Sequence, residues 1–331
     1  MNSKMLPGIV LLAGGLSSLV WAQSDVFETR SNLAETYMYT ETPCVLTCTG
    51  WVAIGGEGLT VTGAGLLYQI PSNGPLSIMG YLGGTWIQLD NSADTEFIFA
   101  GTDGSLYQTR LDADYNLSFW AYIGTPCNAG TCLGWMEIDN QYAINFSAGP
   151  SGVFETRPGG QLFQYVGPPC YHNVCSGWVQ IDNNPLLGSV VSGAYGAYQM
   201  HTTGSIWQYT GQPCNAEGSC PGWRQLDDNP NAAGIVAGQT LYQNHFDGTV
   251  WKYTGPACNG STCSGWTLIG DNPNTTGIYA GVNDLYAQTR SGELFKYDGL
   301  PCIGNLCQGW VMIDNTAYAQ IAWASLFGSL P

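Results

Sequence analysis

The apolar and polar positions of this chain repeat in units of four short strands, which we label A to D. Strand A is small and apolar, as from Gly234 to Gly238 and from Gly277 to Gly281. Strand B is a Leu-Tyr-Gln segment, as from Leu241 to His245. Strand C alternates and carries an aromatic two residues before a tyrosine, as from Ile206 to Tyr209 and from Leu294 to Tyr297. Strand D opens on a tryptophan, as from Trp223 to Leu226. Between B and C lie Thr203-Gly204, Asp247-Gly248 and Ser291-Gly292, the chemistry of tight hairpins in which glycine supplies positive φ. The strand D anchors are Trp51, Trp86, Trp135, Trp178, Trp223, Trp266 and Trp310, spaced 35 to 49 residues apart. A period in the mid-forties, built of short strands and glycine turns, marks the blade of a β-propeller. The expected fold is all-β, with seven four-stranded blades. Strand A is glycine- and alanine-rich because blades converge on a central channel, and the strand C aromatics fill the widening gaps between blades.

The two ends fit that count. Val26 to Arg30 reads as a strand B with no strand A before it, and Ala319 to Ala324 has the character of strand A. The C-terminal segment is therefore expected to supply the inner strand of the first blade, closing the ring without an unpaired edge. Residues 1–22 read as a secretory signal peptide: Lys4 is basic, Ile9 to Val20 is apolar, and Ala22 precedes the expected cut. The run is short for a membrane span. Residues 23–331 then form one propeller domain. Antiparallel order puts the A–B turns and C–D loops on one face, and the B–C turns and D–A loops on the other.

Composition narrows the partners. Acidic residues outnumber basic ones 24 to 8, and only 10% of the chain is charged. So negative a surface repels phosphate backbones and anionic lipids, which argues against nucleic acid and membrane insertion. Twelve cysteines fall into six close pairs, each just before a Gly-Trp. They are Cys44 with Cys48, Cys127 with Cys132, Cys170 with Cys175, Cys214 with Cys220, Cys258 with Cys263, and Cys302 with Cys307. In an oxidising compartment these are local disulfides, each stabilising by about 2 kcal/mol in the chain-entropy model. Zinc would need four converging thiolates where each blade offers two. The second repeat has no pair, which accounts for its short spacing. Asn116, Asn145, Asn259 and Asn274 are sequons and candidate glycan sites of a secreted protein.

One regularity exceeds what folding requires. Strand B is read as ending on Arg30, Ile70, Arg110, Arg157, His201, His245 and Arg290, and strand D on Asp90, Asp139, Asp182, Asp227 and Asp314, with Asp271 displaced by one residue. Basic and acidic rings thus share one rim. They are either ion pairs locking strands and blades together, or ligand sites in which the base donates to a sugar hydroxyl or carboxylate. Trp120, Phe163, Trp207, Trp251 and Phe295 are likewise either inter-blade core or stacking platforms for pyranose rings. Asp112, Asp114 and Asn116 alternate like the start of a calcium loop but lack its glycine and closing acid. Nothing else calls for a metal or cofactor. His172 has no nucleophile beside it, and repeated basic residues differ from the mixed groups that converge in a catalytic site. A glycosidase carboxylate pair leaves no short motif.

The succession Ile-x-Ala-Gly, Leu-Tyr-Gln, Asp/Ser-Gly-x-Leu/Ile/Val-Trp/Phe-x-Tyr-x-Gly and Gly-Trp-x-x-Ile/Leu-Asp resembles the repeats of tectonin- and tachylectin-type propeller lectins, from about Val26 to Ala324. The departures are the disulfide before the tryptophan and the Asp-Asn-Asn-Pro loop after it. The resemblance implies saccharide binding at pockets repeated around the disc. The expected function is a secreted, multivalent, non-enzymatic carbohydrate-binding protein whose partners are glycans or cell-wall polysaccharide. The alternatives are a protein-interaction scaffold or effector using the disulfide-loop face, and a propeller hydrolase or lyase.

Overall fold

The computed structural model describes residues 26–30, 35–72, 76–281, 283–304, 306–316 and 319–322. The signal-peptide reading lies outside these residues. Seven four-stranded antiparallel sheets form a seven-bladed β-propeller. Within blade 6 the order is Ala232–Ala237, Leu241–His245, Val250–Tyr253 and Trp266–Gly270, from the inner strand outward. The inner strands of neighbouring blades approach one another around the axis. As the ends of the sequence imply, Ala319–Ala322 pairs with Phe27–Arg30 and completes blade 1, with Phe27 opposite Ala322 and Arg30 opposite Ala319.

The tryptophans explain how blades hold together. Each indole Nε1 donates to a main-chain carbonyl of the preceding blade: Trp86 to Ile54, Trp135 to Leu89, Trp178 to Ile138, Trp223 to Ile181, Trp266 to Leu226 and Trp310 to Ile269. Trp51 closes the circle by donating to Ile313 at 2.8 Å. The accepting residue stands three positions after the preceding anchor. In blades 2 to 7 it is the extra residue of a β-bulge. In blade 6, Val250 pairs with Gly270 and Trp251 with Leu268, leaving Ile269 without a partner in the ladder. A bulge frees a carbonyl and re-aims a side chain. Here the carbonyl goes to the next blade, while Leu89, Ile138, Leu226 and Ile269 are fully buried in the core.

The core itself lies between blades. One cluster joins Val61, Ile78 and Leu89 of blade 2 to Ile98, Leu106 and Trp135 of blade 3. The tyrosine ending strand C sits 5.2 Å from the tryptophan opening strand D in all seven blades, from Tyr39–Trp51 to Tyr297–Trp310.

All six expected disulfides are formed. Cys44 is bonded to Cys48, Cys127 to Cys132 and Cys170 to Cys175. Cys214 is bonded to Cys220, Cys258 to Cys263 and Cys302 to Cys307. Their loops lie against the preceding blade rather than projecting freely. The N–H of the first cysteine in each donates to the carbonyl two residues after the preceding anchor tryptophan, as Cys127 does to Gln88 and Cys44 to Met312. Further along, Asn91, Asn140 and Asn183 donate from strand D ends to carbonyls of the next blade's loop, at Gly130, Asn173 and Gly218. The glycine before each of these tryptophans follows from the same packing. A Cβ on Gly222 would lie 1.9 Å from the Gln212 carbonyl oxygen and 3.0 Å from the Tyr209 ring. Blade 2 has no disulfide loop and accordingly carries Thr85 there.

The channel tapers. At the A–B end a Cβ on Gly63 would lie 1.9 Å from the Gly101 carbonyl oxygen, and Thr102 of blade 3 donates past blade 4 to the Ser192 carbonyl of blade 5. Small residues are needed at that end. Further from that end, strand A carries buried Ile98, Phe146 and Val190, so its expected small character holds only where the blades meet. Replacing Trp223 by Phe keeps a smaller aromatic ring and removes one inter-blade donor. The stranded Ile181 carbonyl is expected to cost about 1–3 kcal/mol in chemical denaturation, and an unchanged midpoint would refute the linkage.

Candidate functional site

Hairpin register defines the rim position. Gln243 pairs with Trp251, Ala287 with Phe295 and Gln69 with Met79. Counting two residues on, His245 is matched by Arg30, Arg110, Arg157 and His201, but in blade 7 by Thr289 and in blade 2 by Pro71. Arg290 and Ile70 therefore stand one residue out of the ring that the sequence placed them in. The acid ring has the same two gaps: Gly55 and Gly270 stand four residues after Trp51 and Trp266, where other blades have aspartate. Asp271 is exposed. Both gaps fall at junctions where the facing base is missing too.

Each remaining pair crosses a blade junction. Arg110 Nη2 donates to Asp90 at 2.9 Å, Arg157 Nη2 to Asp139 at 3.1 Å and Arg30 Nη2 to Asp314 at 3.4 Å. The three guanidinium groups lie 4.2 Å from the ring centres of Trp120, Phe163 and Tyr37. His201 and His245 stack at 5.8 and 5.7 Å on Trp207 and Trp251. The indoles of Trp120, Trp207 and Trp251 donate to the hydroxyls two residues before them, Ser118 in strand C and Ser205 and Thr249 in the B–C turn. These aromatics are half-buried, with one face covered by the base. Burial pushes both imidazoles down, with Asp182 opposing at His201 and Asp247 and Asp227 opposing at His245, so they are neutral at neutral pH.

A third partner completes the arrangement. Two residues before the base, on the same strand face, Gln108, Gln199 and Gln243 donate to Asp90, Asp182 and Asp227 at 2.8 to 2.9 Å. Sequence reasoning missed these amides; their signal is the repeated Leu-Tyr-Gln, which by itself says only that a strand is present. In blades 1 and 4 the position holds Glu28 and Glu155, buried beside Asp314 and Asp139. Arg30 and Arg157 donate Nε to them at 2.5 Å. Burial first, then the neighbouring aspartate, raises both glutamates to about 8 against the pull of the arginine. A proton on each lets the two carboxyls hydrogen-bond.

The other singled-out residues are scattered. Asp112 Oδ1 accepts from the backbone N–H groups of Asp114 and Asn116, closing its own turn. Asn116, Asn259 and Asn274 are exposed, while Asn145 opens an inner strand with its Oδ1 buried. His172 lies in its disulfide loop against Tyr171. The disulfide loops closed by Cys48, Cys132, Cys220 and Cys307 join strand C to strand D of their own blades, and three of the disulfide loops lie back along the preceding blade as far as the residues that follow Asp90, Asp139 and Asp182. Two groupings of acids with cysteine sulfur occur among the described residues, at Glu137 with Cys170 and Cys175 and at Asp227 and Asp228 with Cys263, and these sulfurs are disulfide-bonded. No helix among the described residues is long and apolar enough to cross a membrane.

A cavity of about 950 Å³ opens at the B–C end of the channel. It is built from the starts of inner strands in blades 4 to 7 and the ends of strands B in blades 5 to 7, and His201, His245 and Arg290 line it. Reading along the sequence does not reveal it, because its walls come from four separate repeats.

No protein-family model matches the chain, and no curated protein matches it either. Among solved structures it is similar to human WBSCR16, at 10% identity over 90% of this chain and 94% of that one, with a TM-score of 0.50. Prp20p from Saccharomyces cerevisiae is 11% identical over 78% and 77%, with a TM-score of 0.49. A six-bladed fucose-recognising lectin from Aleuria aurantia is 15% identical over 75% and 89%, with a TM-score of 0.34. At these identities the likeness concerns the propeller fold alone.

The buried acid pairs make stability depend on pH. A glutamate raised from 4.5 to about 8 holds its proton in the fold and loses it in the unfolded chain. Its contribution is full below the unfolded value and is lost as pH rises through about 8. Glu155→Gln restores the amide used in blades 3, 5 and 6. It is expected to flatten the fall between about pH 5 and 9 and to gain about 1–3 kcal/mol at the alkaline end. Urea denaturation across that range checks it, and an unaltered slope would count against the shared proton.

Proposed function

We propose that this chain is a secreted, multivalent, non-enzymatic carbohydrate-binding protein with sites repeated around the B–C rim. The supporting observation is the guanidinium group of Arg30, Arg110 and Arg157. Each is held by a buried acid and stacked on an aromatic ring, yet keeps 15 to 19% of its side chain exposed. Nη1 makes no hydrogen bond with any described residue in any of the three. A fixed donor beside an aromatic edge is what a sugar hydroxyl and ring face require.

Repetition favours binding over catalysis, since the same groups recur instead of different ones converging. The carboxyl pairs Glu28/Asp314 and Glu155/Asp139 have residue exposures of 0 to 1%, too buried to reach a glycosidic bond. Individually weak sites, of roughly millimolar strength, gain avidity when several engage one glycan surface. The six disulfides fit the oxidising compartments through which secreted proteins pass.

A second reading has its own support. Val45, Leu46, Tyr171, Val174, Ile303 and Leu306 are exposed on the disulfide loops of blades 1, 4 and 7, a composition suited to protein contact. Capture of a partner that competing sugars do not release would favour it.

The mature protein is expected to bind dense glycan arrays or cell-wall polysaccharide. Arg110→Lys keeps the charge beside Asp90 but loses the planar fork that stacks on Trp120, and should weaken that binding about tenfold while circular dichroism still shows the folded propeller. Silence across a broad array and several polysaccharides would end the lectin reading.

A further inference from the structure

The cavity at the channel mouth differs in chemistry from the repeated rim. Among the described residues its lining contains no aspartate or glutamate, in a chain whose formal charge is -16. Arg290 lines it, is exposed, and makes no ion pair with any described residue. The rim arginines, by contrast, are each neutralised by an aspartate. His201 and His245 contribute neutral rings. Arg290 is thus the one full cation in the described lining, displaced into it by the same one-residue offset that removed it from the rim.

The walls combine two kinds of surface. Thr202, Asn145 and Asn244 bring hydrogen-bonding groups, and Asn145 Oδ1 is buried without a partner among the described residues. Tyr142, Ile144 and Phe246 add exposed apolar surface. Adjacent polar and apolar patches suit the edges and faces of a pyranose ring. The volume of about 950 Å³ stands at the upper end of the roughly 300–1,000 Å³ typical of small-molecule sites and accommodates more than one ring.

We propose that this cavity is a single, non-repeated site for a carboxylate-bearing saccharide of the uronate class, with Arg290 holding the carboxylate. Charge-assisted pairing with guanidinium supplies orientation as well as attraction. The site shares His201 and His245 with the rim but none of its paired arginines: the rim arginines are read with neutral glycans and the cavity with one acidic ligand per molecule, so either can fail alone.

The test is isothermal titration of the whole protein with trigalacturonate, its methyl ester and benzoate. Trigalacturonate is expected to bind with one-to-one stoichiometry, and the ester and benzoate at least about tenfold more weakly. Arg290→Gln, at an exposed position, should lower trigalacturonate affinity about ten- to hundredfold without moving the melting temperature. Lys252→Gln removes one positive charge outside the cavity and should leave the affinity unchanged. Absence of binding, equal binding of the ester or of benzoate, or an equal loss in Lys252→Gln would overturn the assignment.

Discussion

Blades 2 to 7 are each fastened to the next through one bulged residue of the outer strand. In a regular ladder the carbonyl of Ile138 or Ile269 would point at strand C of its own blade. The extra residue at that position turns it outward, and the next blade's tryptophan occupies it. The same short segment also offers the preceding carbonyl to a cysteine N–H and, in five blades, the following aspartate to the next blade's strand B. Each such bond contributes only about 1 kcal/mol net. Their arrangement matters more than their individual strength. The chain of donors runs round the disc and returns from Trp51 to Ile313, and Ala319–Ala322 completes the first sheet. A blade that loosened would strand acceptors on one side and donors on the other.

The rim charges follow the same logic. A buried acid facing a base is tolerable, whereas either one alone is costly. That asymmetry explains why the two junctions without a base also lack the acid: Gly55 faces Pro71, and Gly270 faces Thr289. It also explains the glutamates. Where Gln becomes Glu, the aspartate loses an amide donor and gains a like charge, and a bound proton restores the missing hydrogen. The aromatic under each base screens it from solvent and holds it flat. Most of the rim's charge is thereby committed to joining blades, and what remains available to a ligand is the outward-facing part of each guanidinium group.

Periodic features are legible in the sequence because repetition multiplies a weak signal. The seven tryptophans, the paired cysteines and the terminal strand B without its strand A can each be read from spacing. The cysteine pairs are legible for a further reason: partners four to six residues apart, such as Cys44 and Cys48 or Cys214 and Cys220, leave little choice of connectivity. The bulge is not legible, since Trp-x-x-Ile-Asp reads equally well as a plain strand. The offset of Arg290 is hidden for a related reason. Leu285, Tyr286 and Ala287 preserve the pattern of Leu241, Tyr242 and Gln243, and the following Gln288 imitates the repeated amide one place late. Only the pairing of Ala287 with Phe295 shows that Thr289 holds the rim position. The cavity is invisible along the chain because no single repeat contains it.

Sevenfold repetition and chemical uniformity are different things. The junctions into blades 1, 3 and 4 carry arginine, while those into blades 5 and 6 carry histidine, which burial keeps neutral. The rim is therefore an arc of permanent cations followed by an arc of uncharged rings. The channel mouth widens beside the second arc, where no paired guanidinium group crosses into it and no acid is needed to balance one. Leaving out both members of the ion pair at the entry to blade 7 removes the aspartate that would have neutralised a nearby cation. An unpaired arginine can persist there because its charge remains hydrated. Departure from the repeat, rather than the repeat itself, is what gives this part of the surface a cation without a facing acid.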